Sequence, residues 1–507
     1  MTEIRFAAEV RSAEDKLLAR LPEGELMARA SAGLAATCAR LLRSSGGVYG
    51  AQVVLLVGSG NNGADALYAG AALARRGART NAVSVGSGET HDGGTTALLA
   101  AGGRFVSAEA ATGLLLAADL VVDGIVGLGN HGPLTPEAAV LANAAVAGGG
   151  LRVAVDLPSG VLADTGEIPD PAAVFRANVT VTFGARKPAH VLWPAAELAG
   201  VVEVIDIGLA GNWDEPASWR SVGPPEAARW FASSPSTSDK YSRGVVGVVA
   251  GSGAYPGAAV LATGAARLGG AGYVRYAGAA AEQVQARWPE VVAVPGRVQA
   301  WIVGPGLGTD SLAGEQFHSV LTAPEPIVID ADALTLLSGS SELLELLRSR
   351  TALTILTPHD RELDRLIGPL TLAPSHDRLT LVRRVAEELR CVVLAKGPTT
   401  LVAPPDGAAG YVVRSGSSAL ATAGTGDVLA GLLGSALAHA VAAGSLSAAR
   451  ATELAAAAAW VHGLAGRAAS LGAGGQSELE SGTGPVTASD VLAALPRALA
   501  GAGLPVG

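Results

Sequence analysis

Residues 421–431 read ATAGTGDVLAG, with a single carboxylate, Asp427, where a loop of small residues becomes an apolar helical run. The backbone N–H groups of residues 422–426 can point into one concavity, and the helix that follows adds the positive end of its dipole. Together they make an anion hole suited to a transferring phosphoryl group. An aspartate placed there can take the proton of a hydroxyl as its oxygen attacks phosphorus. The alternative is that Asp427 only stabilises the first helical turn, worth about 0.3–1 kcal/mol. A second polar set follows apolar strands in the first half: Asn61, Asn62 and Asp65 after QVVLLVG, Asp123 closing LVVD, and Asp156 and Ser159 in DLPSG. Each alone suits a turn or a helix start. Three carboxylates at three strand ends are harder to dismiss together, and they mark the edge where such sheets bind ligands.

The elements that must position these groups alternate along the chain. QVVLLVG, NAVSVG, LVVDGIVG, LRVAVDLPSG and NVTVTFG are apolar strands of the first half, and ADALYAGAALARRG is a helix between two of them. Continuous apolar runs of this length are the mark of parallel strands buried on both faces. GVVGVVAGS, WIVGPGLG, PIVIDADAL, LTILTPHD and CVVLAKG repeat the pattern in the second half, with LTLVRRVAEELR among the helices between. Both halves are therefore α/β. The tract from about 211 to 243, rich in Pro, Ser and Trp, breaks the alternation. We place domains at 1–212 and 238–507, joined by a linker at 213–237.

Composition bounds the function. The 507 residues are 49% hydrophobic and 16% charged. The longest apolar runs, such as VLAGLLGSALAHAVAAG, are interrupted by glycine and His439 and read as buried helices, not membrane spans. The N-terminus carries charges throughout and lacks the apolar core of a signal peptide. Two cysteines, Cys38 and Cys391, lie in different halves and form no zinc or disulfide pattern. A cytoplasmic protein is expected. The net charge of −9 argues against nucleic acid and membrane surfaces as partners. It leaves room for anionic ligands held by backbone N–H groups.

LMARASAG, VGSGNNGADALYAGAALARRGA, VDGIVGLGNHGPL, VAVDLPSGVLADTGE and VTVTFGARKP, in that order, resemble the NAD(P)H-hydrate epimerase family, the YjeF N-terminal domain. The resemblance covers nearly all of residues 1–210 and implies a Rossmann-like three-layer sandwich. It implies that Asn61, Asn62, Gly63, Ala64 and Asp65, with the loop Gly127, Leu128, Gly129, Asn130, His131, Gly132 and Pro133, hold the hydrated dinucleotide. Asp156 would contact the substrate and transfer protons, and Asn62, Asp123 and Ser159 would bind a potassium ion. Lys187, in TFGARKP, can balance charge there or lie solvated. The family usually has NNGGDG where this chain has NNGADA. Alanines at 64 and 66 hinder binding if either position needs positive φ or close approach to a phosphate. They are harmless, even favourable, inside a first helical turn. We favour the second.

GTGD at a helix start resembles the ribokinase-like superfamily. GSGAYPGAA, GPGLG, DADAL, LTPH, LAKG and ATAGTGDVLAG, in order over about residues 238–470, look like ADP/ATP-dependent NAD(P)H-hydrate dehydratase. This implies a second three-layer sandwich, ribokinase-like, in which Ala258, Gly306, His359 and Asp427 contact the hydrate. Lys396, Gly397, Pro398, Thr399 and Thr400, with Gly424, Thr425 and Gly426, would line the nucleotide site. LTPHDREL replaces the usual LTPHPGE, so a changed turn is expected, with His359 kept in place. The resemblance implies a bifunctional repair enzyme. Its first half interconverts the R and S hydrates of NADH and NADPH. Its second half dehydrates the S form (NADHX or NADPHX) at the expense of ADP or ATP, with Mg2+. A homo-oligomer is expected. The alternative is a kinase of a vitamin precursor or sugar, fused to a noncatalytic dinucleotide-binding module.

Overall fold

A computed structural model describes the chain except residues 1, 87, 131, 232–241, 371, 373–374, 376, 417, 445, 472–483 and 504–507, and the side chains of 502–503. The chain divides into two compact units, residues 2–217 and residues 218 onward.

In the first unit seven strands form one sheet: β1 (Gln52–Val57), β2 (Arg79–Ser84), β3 (Arg104–Phe105), β4 (Leu120–Gly124), β5 (Leu151–Val155), β6 (Val179–Phe183) and β7 (Val201–Ile205). Their order is β3-β2-β1-β4-β5-β6-β7, and every pairing is parallel. Alternation along β1 shows why the sheet is covered twice. Val53, Leu55 and Val57 enter a core with Leu34, Leu42, Leu67 and Leu73 from helices Glu25–Ser45 and Asn61–Ala74. Val54 and Leu56 enter another, with Leu115, Leu141 and Phe175. The result is the expected three-layer α/β sandwich. After β1 the chain winds outward to β2 and β3, then returns to lay β4 on the other side of β1. A crevice therefore opens at the carboxyl ends of β1 and β4, where ligands of doubly wound sheets bind.

The second unit repeats this plan with β8 (Trp219–Ser221), β9 (Val245–Val249), β10 (Tyr273–Tyr276), β11 (Ala300–Val303), β12 (Ile327–Ile329), β13 (Thr354–Leu356), β14 (Val392–Ala395), β15 (Thr400–Ala403) and β16 (Gly410–Val413). They pair in the order β8-β16-β15-β14-β13-β12-β11-β9-β10. The ladder is parallel except where β15 runs against β14 and β16. The switch point here is the β9/β11 crevice. Two elements fall within the tract read as a linker: β8, which pairs with β16, and helix Pro224–Phe231. Trp219 anchors β8, fully buried and capped by the Arg383 guanidinium 5.3 Å from its ring centre.

Helix Thr425–Ala442 lies at the centre of this unit. A side chain at Gly431 would fall 2.0 Å from the Ala262 carbonyl oxygen, and one at Gly434 would fall 2.1 Å from Ile302. These glycines let the helix seat closely on helix Pro256–Ala266 and on β11. By length and composition alone this helix could span a membrane, but 67% of it is buried within the unit, in line with its reading from sequence as a buried helix. Small residues let it pack on both sides, which raises its apolarity without giving it a lipid-facing surface.

Candidate active sites

The first site gathers at the carboxyl ends of β1, β4, β5 and β6. Asn61 opens helix Asn61–Ala74 directly after the β1 turn, so residues 61–66 are its first turn and a half. Ala64 and Ala66 are helical and fully buried, which is the favourable alternative for NNGADA. The close approach falls on other positions. A methyl on Gly58 would sit 1.9 Å from the Ile125 carbonyl oxygen, and one on Gly63 would sit 2.0 Å from that of Gly58. The β1 turn and the β4 loop are thus in backbone contact, and only glycine fits between them.

Asp156 follows β5 in the left-handed region, φ 64°, a conformation aspartate tolerates better than most residues. Its buried carboxylate accepts from Lys187 Nζ at 2.6 Å and from Thr182 Oγ1 at 2.8 Å. Lys187 also donates to Thr182 Oγ1 and to the Phe183 carbonyl. Burial alone would raise the Asp156 pKa, but the charge and hydrogen bond of Lys187, with help from the Thr182 hydroxyl, hold it below the usual carboxylate range. Lys187 is therefore a buried ion-pair partner, not a solvated side chain. His190 Nδ1 accepts from the Lys187 N–H at 2.9 Å, and its Nε2 lies 2.7 Å from the Asp156 carbonyl oxygen. Burial and the Lys187 charge push this imidazole down to about 3, so it is neutral, with Nε2 the donor.

Asp65 has the opposite character. It is buried, its Oδ1 has no hydrogen-bond partner among the described residues, and burial together with the Asp156 and Glu14 charges pushes it up to about 8. Two carboxyls driven apart in this way divide the acid and base roles. Glu14, from helix Ala7–Leu18, is a third member: burial raises its pKa, and Lys187 and Asp156 are the next influences on it.

Asp123 is fully buried at the end of β4. Its Oδ1 accepts from Ser159 Oγ at 2.7 Å and its Oδ2 from the Ser159 N–H at 2.8 Å. Burial pushes it up to about 6 against those hydrogen bonds. Asn62 donates to the Val155 carbonyl at 2.7 Å, and a methyl on Gly127 would fall 2.5 Å from Asn62 Oδ1. A buried carboxylate whose partners are all neutral donors lacks a countercharge, which a hard monovalent cation could supply. The loop after β4 is tied down at both ends of its first turn: Leu128 accepts from Arg11, and Asn130 Nδ2 donates to the Val161 carbonyl. Gly129, Gly132 and Pro133 lie on the same loop, and His131 falls outside the described residues.

The second site lies at the carboxyl ends of β9, β11, β12 and β14. Gly424, in the left-handed region at φ 89°, caps helix Thr425–Ala442 and turns the chain into it. Thr425 is locked by donating to the Leu420 carbonyl at 2.8 Å. Lys396 follows β14 and forms a 2.7 Å ion pair with Asp330, which follows β12. A methyl on Gly426 would come within 3.4 Å of Lys396 Nζ and 3.9 Å of Asp330 Oδ2, so both groups face the start of this helix. Burial and the Asp330 charge push Asp427 up to about 7, against the pull of Lys396. A base poised near neutrality suits taking a hydroxyl proton. Among the described residues no three His, Cys, Asp or Glu side chains converge as a metal site. Magnesium here would arrive on nucleotide phosphates, its usual mode.

Ala258 and Gly306 meet across the β9/β11 crevice, where a methyl on Gly306 would fall 2.7 Å from the Ala258 Cβ. His359 caps helix Asp360–Ile367 in a reciprocal box: Glu362 N–H donates to His359 Nδ1, and the His359 N–H donates to Glu362. With DREL in this position, His359 stands at a helix start and Asp360 is the first helical residue. Asp360 pairs with Arg378 at 2.7 Å, and Arg378 donates to the Lys396 carbonyl at 3.0 Å. Gly397 lies against that guanidinium, Pro398 and the buried Thr399 follow, and Thr400 begins β15.

Glu14, Thr182, His190 and Asp330 carried no individual signal in the sequence. Asp330 stood inside the quoted DADAL, and its position at a strand end, the rule applied in the first half, would have singled it out.

Residues 246–480 match the family described as NAD(P)H-hydrate dehydratase, and residues 23–189 match the YjeF-related protein N-terminus. The bifunctional NAD(P)H-hydrate repair enzyme Nnr of Mycobacterium tuberculosis is 44% identical over 445 residues, 87% of this chain and 90% of that protein. The protein of the same name from Corynebacterium glutamicum is 36% identical over 502 residues, covering 85% and 86%. A solved structure, ADP/ATP-dependent NAD(P)H-hydrate dehydratase from Bacillus subtilis co-crystallised with ATP/Mg2+, is 24% identical, with a TM-score of 0.43 over 54% of this chain and 95% of that one.

Proposed function

Since this chain belongs to the bifunctional NAD(P)H-hydrate repair enzyme family, we propose that its two units act in turn on hydrated NADH and NADPH. The first unit interconverts the R and S hydrates. The Asp156 carboxylate, kept ionised by Lys187, takes a proton near the hydroxylated C6, and Asp65, protonated at neutral pH, returns one. Asn61, Asn62, Gly63 and the loop from Gly127 to Pro133 hold the dinucleotide at the β1/β4 crevice. Asn62, Asp123 and Ser159 would hold potassium, which supplies the positive charge that buried Asp123 otherwise lacks.

In the second unit the hydroxyl of the S hydrate attacks the terminal phosphorus of ADP or ATP. Asp427 takes the hydroxyl proton, and AMP or ADP leaves. Phosphate then leaves C6 with loss of a proton from the neighbouring ring carbon, which restores the dihydropyridine. Phosphorylation converts a poor leaving group into a good one. Residues 396–400 and 424–426 line the nucleotide phosphates, and Ala258, Gly306 and His359 line the hydrate. The observation that carries this reading is Asp427 at a helix start beside the Lys396–Asp330 pair. The protein supplied with S-NADHX, Mg2+ and either ADP or ATP should regain the near-ultraviolet absorbance of the reduced ring. No recovery with either nucleotide overturns the reading.

A homo-oligomer in the cytoplasm completes the proposal. Cys38 and Cys391, both free and buried, accord with a reducing compartment, and light scattering of the purified protein checks the assembly.

A further inference from the structure

Asp330 is fully buried behind the nucleotide loop, yet it carries a negative charge into a site built for phosphates. Its backbone is as constrained as its side chain. Ala331 beside it stands at φ 50°, and a methyl on Gly304 would fall 1.9 Å from the Asp330 carbonyl oxygen. Its carboxylate meets Lys396 at 2.7 Å, whereas that of Glu362, a second acid near that ammonium, is 3.9 Å away. Lys396 has three acidic neighbours to choose among: Asp330, Glu362 and Asp427. A lysine that settled on Asp427 would neutralise the proposed base and leave the phosphates without their cation.

We infer that Asp330 is a positioning residue of the phosphoryl-transfer site: it clamps the Lys396 ammonium at the mouth of the anion hole and keeps it from pairing with Asp427. This inference rests on the dehydratase reading for its chemistry, but not for its binding test. The charged and titratable groups around Asp427 are Asp330 and Asp332 after β12, Lys396 after β14 with Glu362 behind it, and His462 behind Thr425. His462 is neutral at physiological pH, since burial pushes it down to about 4. Removing the Asp330 charge therefore lowers the Asp427 pKa, and removing Lys396 raises it.

The test uses the full chain and three variants: D330N, K396M and the double variant. A carboxylate that acted on phosphates by repulsion alone would, once neutralised, let ADP bind more tightly. A clamp predicts the reverse. Calorimetry with ADP and Mg2+, without hydrate, should show D330N binding about tenfold to a hundredfold more weakly, the range for losing one charge-assisted hydrogen bond. The double variant should bind no more weakly than K396M alone, because Asp330 acts through the lysine. In dehydration, the acid limb of the pH profile should move down in D330N and up in K396M. Wild-type or tighter ADP binding by D330N, or additive losses in the double variant, overturns the inference. Should D330N fail to fold, the upward move in K396M carries the test, and an unmoved limb overturns it. If the wild-type protein binds ADP but does not dehydrate S-NADHX, the functional reading fails while the binding cycle still decides the clamp.

Discussion

Replacing Lys187 by methionine tests how the first site keeps a carboxylate ionised in the protein interior. Lys187 and Asp156 are both buried and meet at 2.6 Å. Methionine fills similar volume but leaves Asp156 without its cation, and breaking a buried pair from one side costs about 3–5 kcal/mol. Part of that loss depends on pH. In the wild type Asp156 is held below the ordinary carboxylate value, so its stabilising contribution is present above about pH 4 and is lost as pH falls through the folded value. In K187M, burial dominates and the folded pKa rises above the unfolded one. The variant's deficit is then largest at neutral pH and shrinks on acidification. Hydrogen exchange of the β5 and β6 amides in the intact chain reads the opening free energy of this unit separately. The K187M/D156N double variant removes both charges, and asparagine tolerates the φ of 64°. It should recover most of the loss. A K187M deficit below about 1 kcal/mol, or a double variant no more protected than K187M, would refute the view that Asp156 depends on this lysine for its charge.

Three further outcomes are expected. D427N should fold and bind dinucleotide while dehydration falls by about 10²–10⁴-fold, the usual share of a general base; in the wild type the rate should rise with pH through about 7, the value for Asp427. D65N should abolish the high-pH limb of epimerisation near 8, because the proton on that carboxyl is gone; an unchanged limb assigns it to another group. Restoring glycine at positions 64 and 66 should lower stability by about 0.5–1 kcal/mol per site without faster epimerisation, as a thermal melt and an R-to-S assay would show.

Much of the plan was legible in the chain. The apolar runs specified parallel strands because a strand covered on both faces must be apolar along its whole length. The small-residue loop before Asp427 specified a helix start, since glycine there permits φ 89° at the N-cap. Local rules also resolved NNGADA, for alanine is at home in a helical first turn. At LTPHDREL a changed turn with His359 in place was expected; Asp360 opens a helix there and pairs with Arg378, eighteen residues further along.

Spacing along the chain could not assign partners. Glu14, Asp65, Asp156 and Lys187 come from four separate elements, and Asp330 reaches Lys396 across sixty-six residues. Which carboxyl stays ionised depends on burial and on the nearest cation, and both are set only when the strands lie side by side. Residue types and order alone determined that this protein has two α/β units, each with acids at its strand ends, and which family it resembles. Tertiary packing decided that Asp156 keeps its charge, that Asp65 and Asp427 hold protons near neutrality, and that Lys396 sits on Asp330. The physical reason is that a pKa belongs to a surrounding dielectric and its charges, and these surroundings are assembled from distant segments.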